Sequence, residues 1–288
     1  MRRLLLLPAI LAGIASGLQA QQLIACGWDE VFVLDLAGAR KVWSWKAEER
    51  PEIPEAFRTK FRTTDECKPV AGNRILVTAS SDGAALIDRE SGRTLWWGHC
   101  ANAHSAELLP GGRIAVACSV RETGGNRLVV FDAAIPEKEL FSTELYSGHG
   151  AVWDADRQVL WALGGRDLRS YALGAWITDA PVLELRARHE LPDPGGHDLI
   201  AVPGSRHLAV TTLHSVWLFD RDSGQFTPHP DLRDRHHVKA VAVHPSTGRL
   251  AFIQADQPNW WSGRIEFLHP RQTLPLAGER LYKIRWLP

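Results

Sequence analysis

Apolar positions in this chain come in short runs, not at helical spacing. "RILVTAS", "GRIAVACS", "NRLVVFDA" and "HLAVTT" are each bounded by Gly, Asn, Asp or Ser. Runs of this length with β-branched residues and flanking turn signals predict buried strands. Between them lie hairpin turns such as "PGG" before Arg113 and the Asp-x-x-Ser-Gly pattern in "DRESG" and "DRDSG". Helical periodicity is nearly missing, and only "PEIPEAFRTKF" predicts a short helical turn.

The runs repeat. "HSAELLP" ends at Pro110, "HDLIAVP" at Pro203 and "KAVAVHP" at Pro245, and in each the first residue lies six before the proline. "HGAVWDA", "DECKPVA" and the terminal "YKIRWLP" align without a gap. The six copies open at Asp65, His104, His149, His197, Lys239 and Tyr282, at spacings of 39, 45, 48, 42 and 43 residues. A period of this size signals a solenoid, a propeller or an array. Each copy is followed by further strand-like runs, giving four strands per repeat, A to D from the inside outward. Past the first 20 residues the chain opens with "QLIACG", "EVFVLDL" and "KVWSWKA", which read as B, C and D without an A, and its last repeat, "YKIRWLP", reads as an A alone. These fragments complete one blade and leave no free sheet edge. The expected fold is all-β, a six-bladed propeller of four-stranded blades, with the first blade closed by N-terminal strands B to D and C-terminal strand A. A pair of β-sandwiches is the alternative and leaves the ring-closing fragments unexplained.

In a propeller, strand A lines the central channel and its first residue lies at one mouth. Asp65, His104, His149, His197, Lys239 and Tyr282 are therefore expected to form one titratable ring. His104, His149 and His197 come from consecutive blades, and converging neutral imidazoles suit a divalent metal such as Zn or Mn, with Asp65 or Glu66 completing the shell. The alternative is a solvated channel whose polar residues bind only water. Strict alternation turns Glu107 away from the ring and gives Lys68 the opposite parity to Asp65, unless a bulge intervenes. Asp198 is placed to orient a neighbour or pair with an Arg. The B–C loops at the same face carry Trp28, Asp29, Glu30, Asp82, Arg121, Glu122, Arg166, His214, Trp260 and Trp261, and the D–A loops bring Asn102, Asp193 and His237. Indoles beside carboxylates and guanidinium groups over a concave mouth suit a carbohydrate or another small polar ligand.

Composition sharpens this picture. Lys plus Arg and Asp plus Glu are 33 each, so the balance offers no basic footprint for nucleic acid. Twelve Trp stand against three Tyr, an excess that suits both β packing and stacking on sugar rings. "MRRLLLLPAILAGIASGLQA" has the charged start, short apolar run and small-residue end of a cleaved signal peptide, residues 1–20, leaving residues 21–288 as one domain. The expected location is periplasmic or secreted. Lipoprotein anchoring at Cys26 is disfavoured by the glutamines before "LIAC" and the strand-like run after it. Later apolar runs are too short to span a membrane. Cys26, Cys67, Cys100 and Cys118 match no metal knuckle; one or two disulfides and free buried thiols both remain open.

"CGWDEVFVLDL", "FRTTDECKPV", "NAHSAELLPGGRIAVA", "YSGHGAVWD" and "WLFDRDSG" together resemble a domain-of-unknown-function family of secreted bacterial six-bladed propellers. That resemblance implies fold and export, with no activity attached. The histidine arrangement is similar, more loosely, to propeller-fold sugar lyases such as oligogalacturonate lyases. These hold a divalent metal at the channel mouth; the Gln that accompanies their histidines has no counterpart here. What it implies is a lyase acting on acidic sugars, with metal on the three histidines and Lys239 or Tyr282 as base. A hydrolase would instead pair Asp65 with a loop carboxylate such as Glu30. The non-catalytic alternative is a glycan- or protein-binding propeller of the cell envelope, with Trp260 and Trp261 as its contacts.

Overall fold

The computed structural model describes residues 21–287, and the expected leader, residues 1–20, lies outside them. Six four-stranded antiparallel sheets surround one axis. The A strands are Lys283–Trp286 in blade 1, Thr64–Val70, Ala103–Leu109, Gly150–Asp154, Asp198–Ala201 and Val238–Val243 in blades 2 to 6. Neighbouring A strands touch all the way round, so the ring is closed. Blade 1 joins Lys283–Trp286 to Gln22–Gly27, Glu30–Asp35 and Arg40–Trp45, with Cys26 opposite Lys283 and Leu23 opposite Trp286. The ends thus complete one blade, as the fragments predict.

The middle strands are buried on both faces because each blade packs between two others. This is why Arg113–Cys118 and Arg127–Asp132 read as continuous apolar runs. Outer strands such as Arg40–Trp45 cover one face only and are largely exposed. The blade interfaces hold the core: Trp45, Phe57, Phe61, Ile75 and Val77 between blades 1 and 2, and Leu23, Phe32, Ile253, Phe267 and Ile284 between blades 6 and 1. The expected helical turn is present at Glu55–Arg58, followed by a 3-10 turn at Thr59–Phe61 that buries Phe57 and Phe61. Among the described residues no helix is long and apolar enough to cross a membrane.

Cys100 and Cys118 form a disulfide, with Cα atoms 5.9 Å apart. Cys26 and Cys67 are free and buried. The first pair ties the end of blade 2 to strand B of blade 3.

Candidate functional site: the channel mouth

The A strands of blades 2, 3 and 6 begin with a β-bulge. Thr64 pairs with Ala79 and Glu66 with Thr78, so Asp65 is the extra residue; His104 and Lys239 are extra in the same way. A bulge re-aims a side chain and shifts the alternation after it by one. This corrects the parity expected for two residues. Ser105, after the bulge, donates to Glu66 Oε2 at 3.0 Å, and Glu107 accepts from Lys68 Nζ at 3.2 Å, so both Glu107 and Lys68 face the channel.

A second local device recurs. Asn102, Ser147, Gly195 and His237 all have φ between 51° and 78°, and each lies two residues before a ring residue. At Asn102 and Ser147 the left-handed turn presents its carbonyl to the ring side chain. His104 Nδ1 donates to the Asn102 carbonyl at 3.0 Å, and His149 Nδ1 donates to that of Ser147 at 2.9 Å. A carbonyl only accepts, so both neutral imidazoles carry their proton on Nδ1 and leave Nε2 bare.

The ring assembles as the repeat predicts. The centroids of His104 and His149 are 4.2 Å apart, those of His149 and His197 5.4 Å, and those of His104 and Tyr282 5.8 Å. Lys239 Nζ donates to His197 Nε2 at 2.9 Å. His104 Nε2 and Asp65 Oδ1 stand 3.9 Å apart, a gap too wide for a direct hydrogen bond. Two buried polar atoms in the ring have no protein partner, Asp65 Oδ1 and His197 Nδ1.

Burial dominates the protonation of this cluster. It pushes His149 down to about 3, with Lys283 and Lys239 adding to the effect against the Ser147 hydrogen bond. Burial lowers His104 and His197 well below the usual imidazole range, helped by His149 in the first case and Lys239 in the second. It lowers Lys239 to about 8 and raises Asp65 to about 7 despite the hydrogen bonds from Ser80. Tyr282 is raised by burial and by nearby carboxylates, Asp65 first, so its hydroxyl stays protonated. At neutral pH the mouth therefore presents neutral imidazoles, one ammonium, a phenol and a carboxyl near its midpoint.

Below the ring a buried ionic septum crosses the channel. Lys283 Nζ donates to the carbonyls of His104 and His149 at 3.0 and 3.2 Å and lies 3.3 Å from Asp198 and 3.6 Å from Glu66. Arg285 grips Asp198 through both terminal nitrogens at 2.9 and 2.7 Å and reaches Glu66 at 3.0 Å. Burial alone would raise Glu66, but Arg285 and Lys283 outweigh it and hold it at about 2. Asp198 pairs with an arginine as the sequence allows. Lys283 and Arg285 were hidden in "YKIRWLP", whose alternation through the last strand is the signal that points to them.

The rim divides into two sets. Trp28 and Trp260 stack at 5.5 Å and 17°, and the edge of Trp260 meets Tyr282 at 5.8 Å, so these indoles stand beside the ring. Trp261 packs edge-on to Trp28 at 6.2 Å, and Arg280 lies over Trp28 at 4.3 Å. Trp260 is 42% exposed and presents the open face of the group. The other rim candidates make their contacts among the loops. Arg121 donates to Ser80 O and Asp82, Arg166 covers Tyr146, and His214 packs on His236. Glu30 is paired with Lys41 at 2.7 Å and lines a polar cavity of about 330 Å³ with Trp28, Asp29, Lys46, Glu279 and Arg280.

In this arrangement the expected metal set of His104, His149 and His197 does not have all its outward nitrogens free, because His197 Nε2 is taken. Among the described residues no group of three or more His, Cys, Asp or Glu side chains is placed to hold a metal ion. The physical reason is Lys239, which takes the Nε2 lone pair of His197, while Lys283 sets a second cation beneath the ring.

A closed ring of four-stranded blades with its working groups on the inner strands defines a six-bladed β-propeller. The chain belongs to DUF6528, a family of unknown function, matched over residues 19–288. It is similar to a protein of unknown function from Bacteroides caccae, at 13% identity and a TM-score of 0.63, covering 93% of this chain and 99% of that one. A chain of a nidogen/laminin complex is similar at 14% identity and a TM-score of 0.63, covering 92% and 98%. At these identities the likeness is one of fold. Among curated proteins none matches the chain.

Proposed function

We propose that the protein is an exported propeller that binds an acidic sugar at the ring mouth. The observation that carries this reading is the Trp28–Trp260 stack set against Tyr282, beside two buried ring atoms with no protein partner, the acceptor Asp65 Oδ1 and the donor His197 Nδ1. A sugar ring would lie on the open indole face, and its carboxylate would take the Lys239 ammonium and the Tyr282 hydroxyl. The His197 Nδ1 proton and the gap between Asp65 and His104 supply further places for ligand oxygens. The Cys100–Cys118 disulfide supports an oxidising compartment.

The same groups suit β-elimination. Where pH rises to about 8 and Lys239 loses its proton, its neutral amine would take the proton on the carbon next to the uronate carboxylate. The electron pair left behind would form the ring double bond as the glycosidic C–O bond breaks, and Tyr282 would protonate the departing oxygen. Titration calorimetry with uronate-containing and neutral oligosaccharides tests the binding. Selective affinity for the acidic set, lost in Trp260→Ala, is expected; equal or no affinity would reject the reading. Release of unsaturated uronate products, abolished in Lys239→Met, separates catalysis from binding alone.

A further inference from the structure

The septum closes the channel, and what lies beyond it is chemically unlike the ring. On the A–B turn side a cavity of about 760 Å³ opens, within the range of small-molecule sites. Its walls are apolar: Val70, Leu108, Val152, Ile200, Val243 and Trp286. Lys68, Glu107 and Arg285 also line it.

Four cations line it; Arg74 and Arg89 donate to the Ala71 carbonyl and to Gln22, whereas Lys68 and Arg285 are incompletely satisfied. Lys68 Nζ donates to Glu107 at 3.2 Å and to the Ala151 carbonyl at 2.5 Å, which leaves the third ammonium proton without a protein acceptor. Arg285 is only 6% exposed, and its Nε–H is buried with no partner. A buried donor without an acceptor is unfavourable by about 1–3 kcal/mol and is normally met by a ligand or water. The walls call for an apolar body, and both open donors belong to cations, which bind an anionic acceptor more strongly than a neutral one.

We propose that this second mouth is a binding site for a small apolar carboxylate, a medium-chain fatty acid or an aryl-alkyl acid, with its head on Lys68 and Arg285 and its tail along the walls. The site is independent of the sugar site, because the septum of Glu66, Asp198, Lys283 and Arg285 separates them.

Calorimetry on the full mature chain with octanoate and with octan-1-ol tests it. Octanoate is expected to bind saturably and at least about tenfold more tightly than the alcohol, since charged hydrogen bonds add roughly 1.5–3 kcal/mol. Lys68→Met is expected to weaken octanoate about tenfold while leaving the alcohol nearly unchanged, and Val243→Arg to weaken the alcohol by filling the apolar wall. No saturable uptake of octanoate by the unmodified protein would overturn the proposal, as would equal affinity for acid and alcohol. The second comparison needs no variant, so it stands even where Lys68→Met fails to fold.

Discussion

At the residue scale, the ring is governed by a lysine buried among histidines. Lys239 and His197 share one hydrogen bond; the Lys239 ammonium helps burial to lower the His197 pKa, while burial alone lowers that of Lys239. Lys239→Met removes the ammonium and frees His197 Nε2. The expected outcome is a His197 pKa that moves up toward the ordinary imidazole value, followed by NMR titration of its ring protons. Tm is expected to change little, because replacing a buried charge with an apolar side chain of similar length is often neutral or stabilising. Opposite behaviour is expected at the septum. Arg285→Met strips the bidentate partner from Asp198 and one of the partners of Glu66, and should destabilise the fold by about 3–5 kcal/mol in chemical denaturation.

At the scale of the element, the inner strand is what the sequence displays best and where simple alternation fails. Six inner strands align on their terminal turn because that turn and the apolar run before it are local features. The bulges at Asp65, His104 and Lys239 are not local: they depend on pairing with strand B, and so Glu107 and Lys68 could not be assigned to the channel from parity. The pairing of Lys239 with His197, from different blades, was illegible for the same reason. Close packing between blades also limits single residues. A Cβ on Gly27 would come within 1.9 Å of the Arg280 carbonyl oxygen, a backbone atom that cannot swing aside. Gly27→Ala is expected to destabilise the protein by about 1–3 kcal/mol, measured by urea unfolding, and to disturb the adjoining Trp28–Arg280 contact.

For the whole molecule, the buried ring ties stability to pH. The histidine pKa values are depressed on folding, so their contribution is fully present above the unfolded value near 6.5 and is lost as pH falls, for His149 down to about 3. Asp65 has the opposite sign: raised to about 7, its contribution is present below the unfolded value and lost as pH rises through 7. With three histidines depressed against one carboxylate raised, Tm is expected to fall between about pH 6.5 and pH 4, and His149→Gln should flatten that slope. Blade 1 carries a different consequence. Its inner strand is the last described strand and its next strand is the first, so Leu23 meets Trp286 only after the strands of the other five blades have been made. Until then Gln22–Gly27 displays an unpaired backbone edge, and a product broken off before Lys283 keeps it exposed for good. The circle thus acts as a check written into topology: only a chain that reaches Lys283–Trp286 hides this seam, and one that stops short of it presents a template on which another chain can pair.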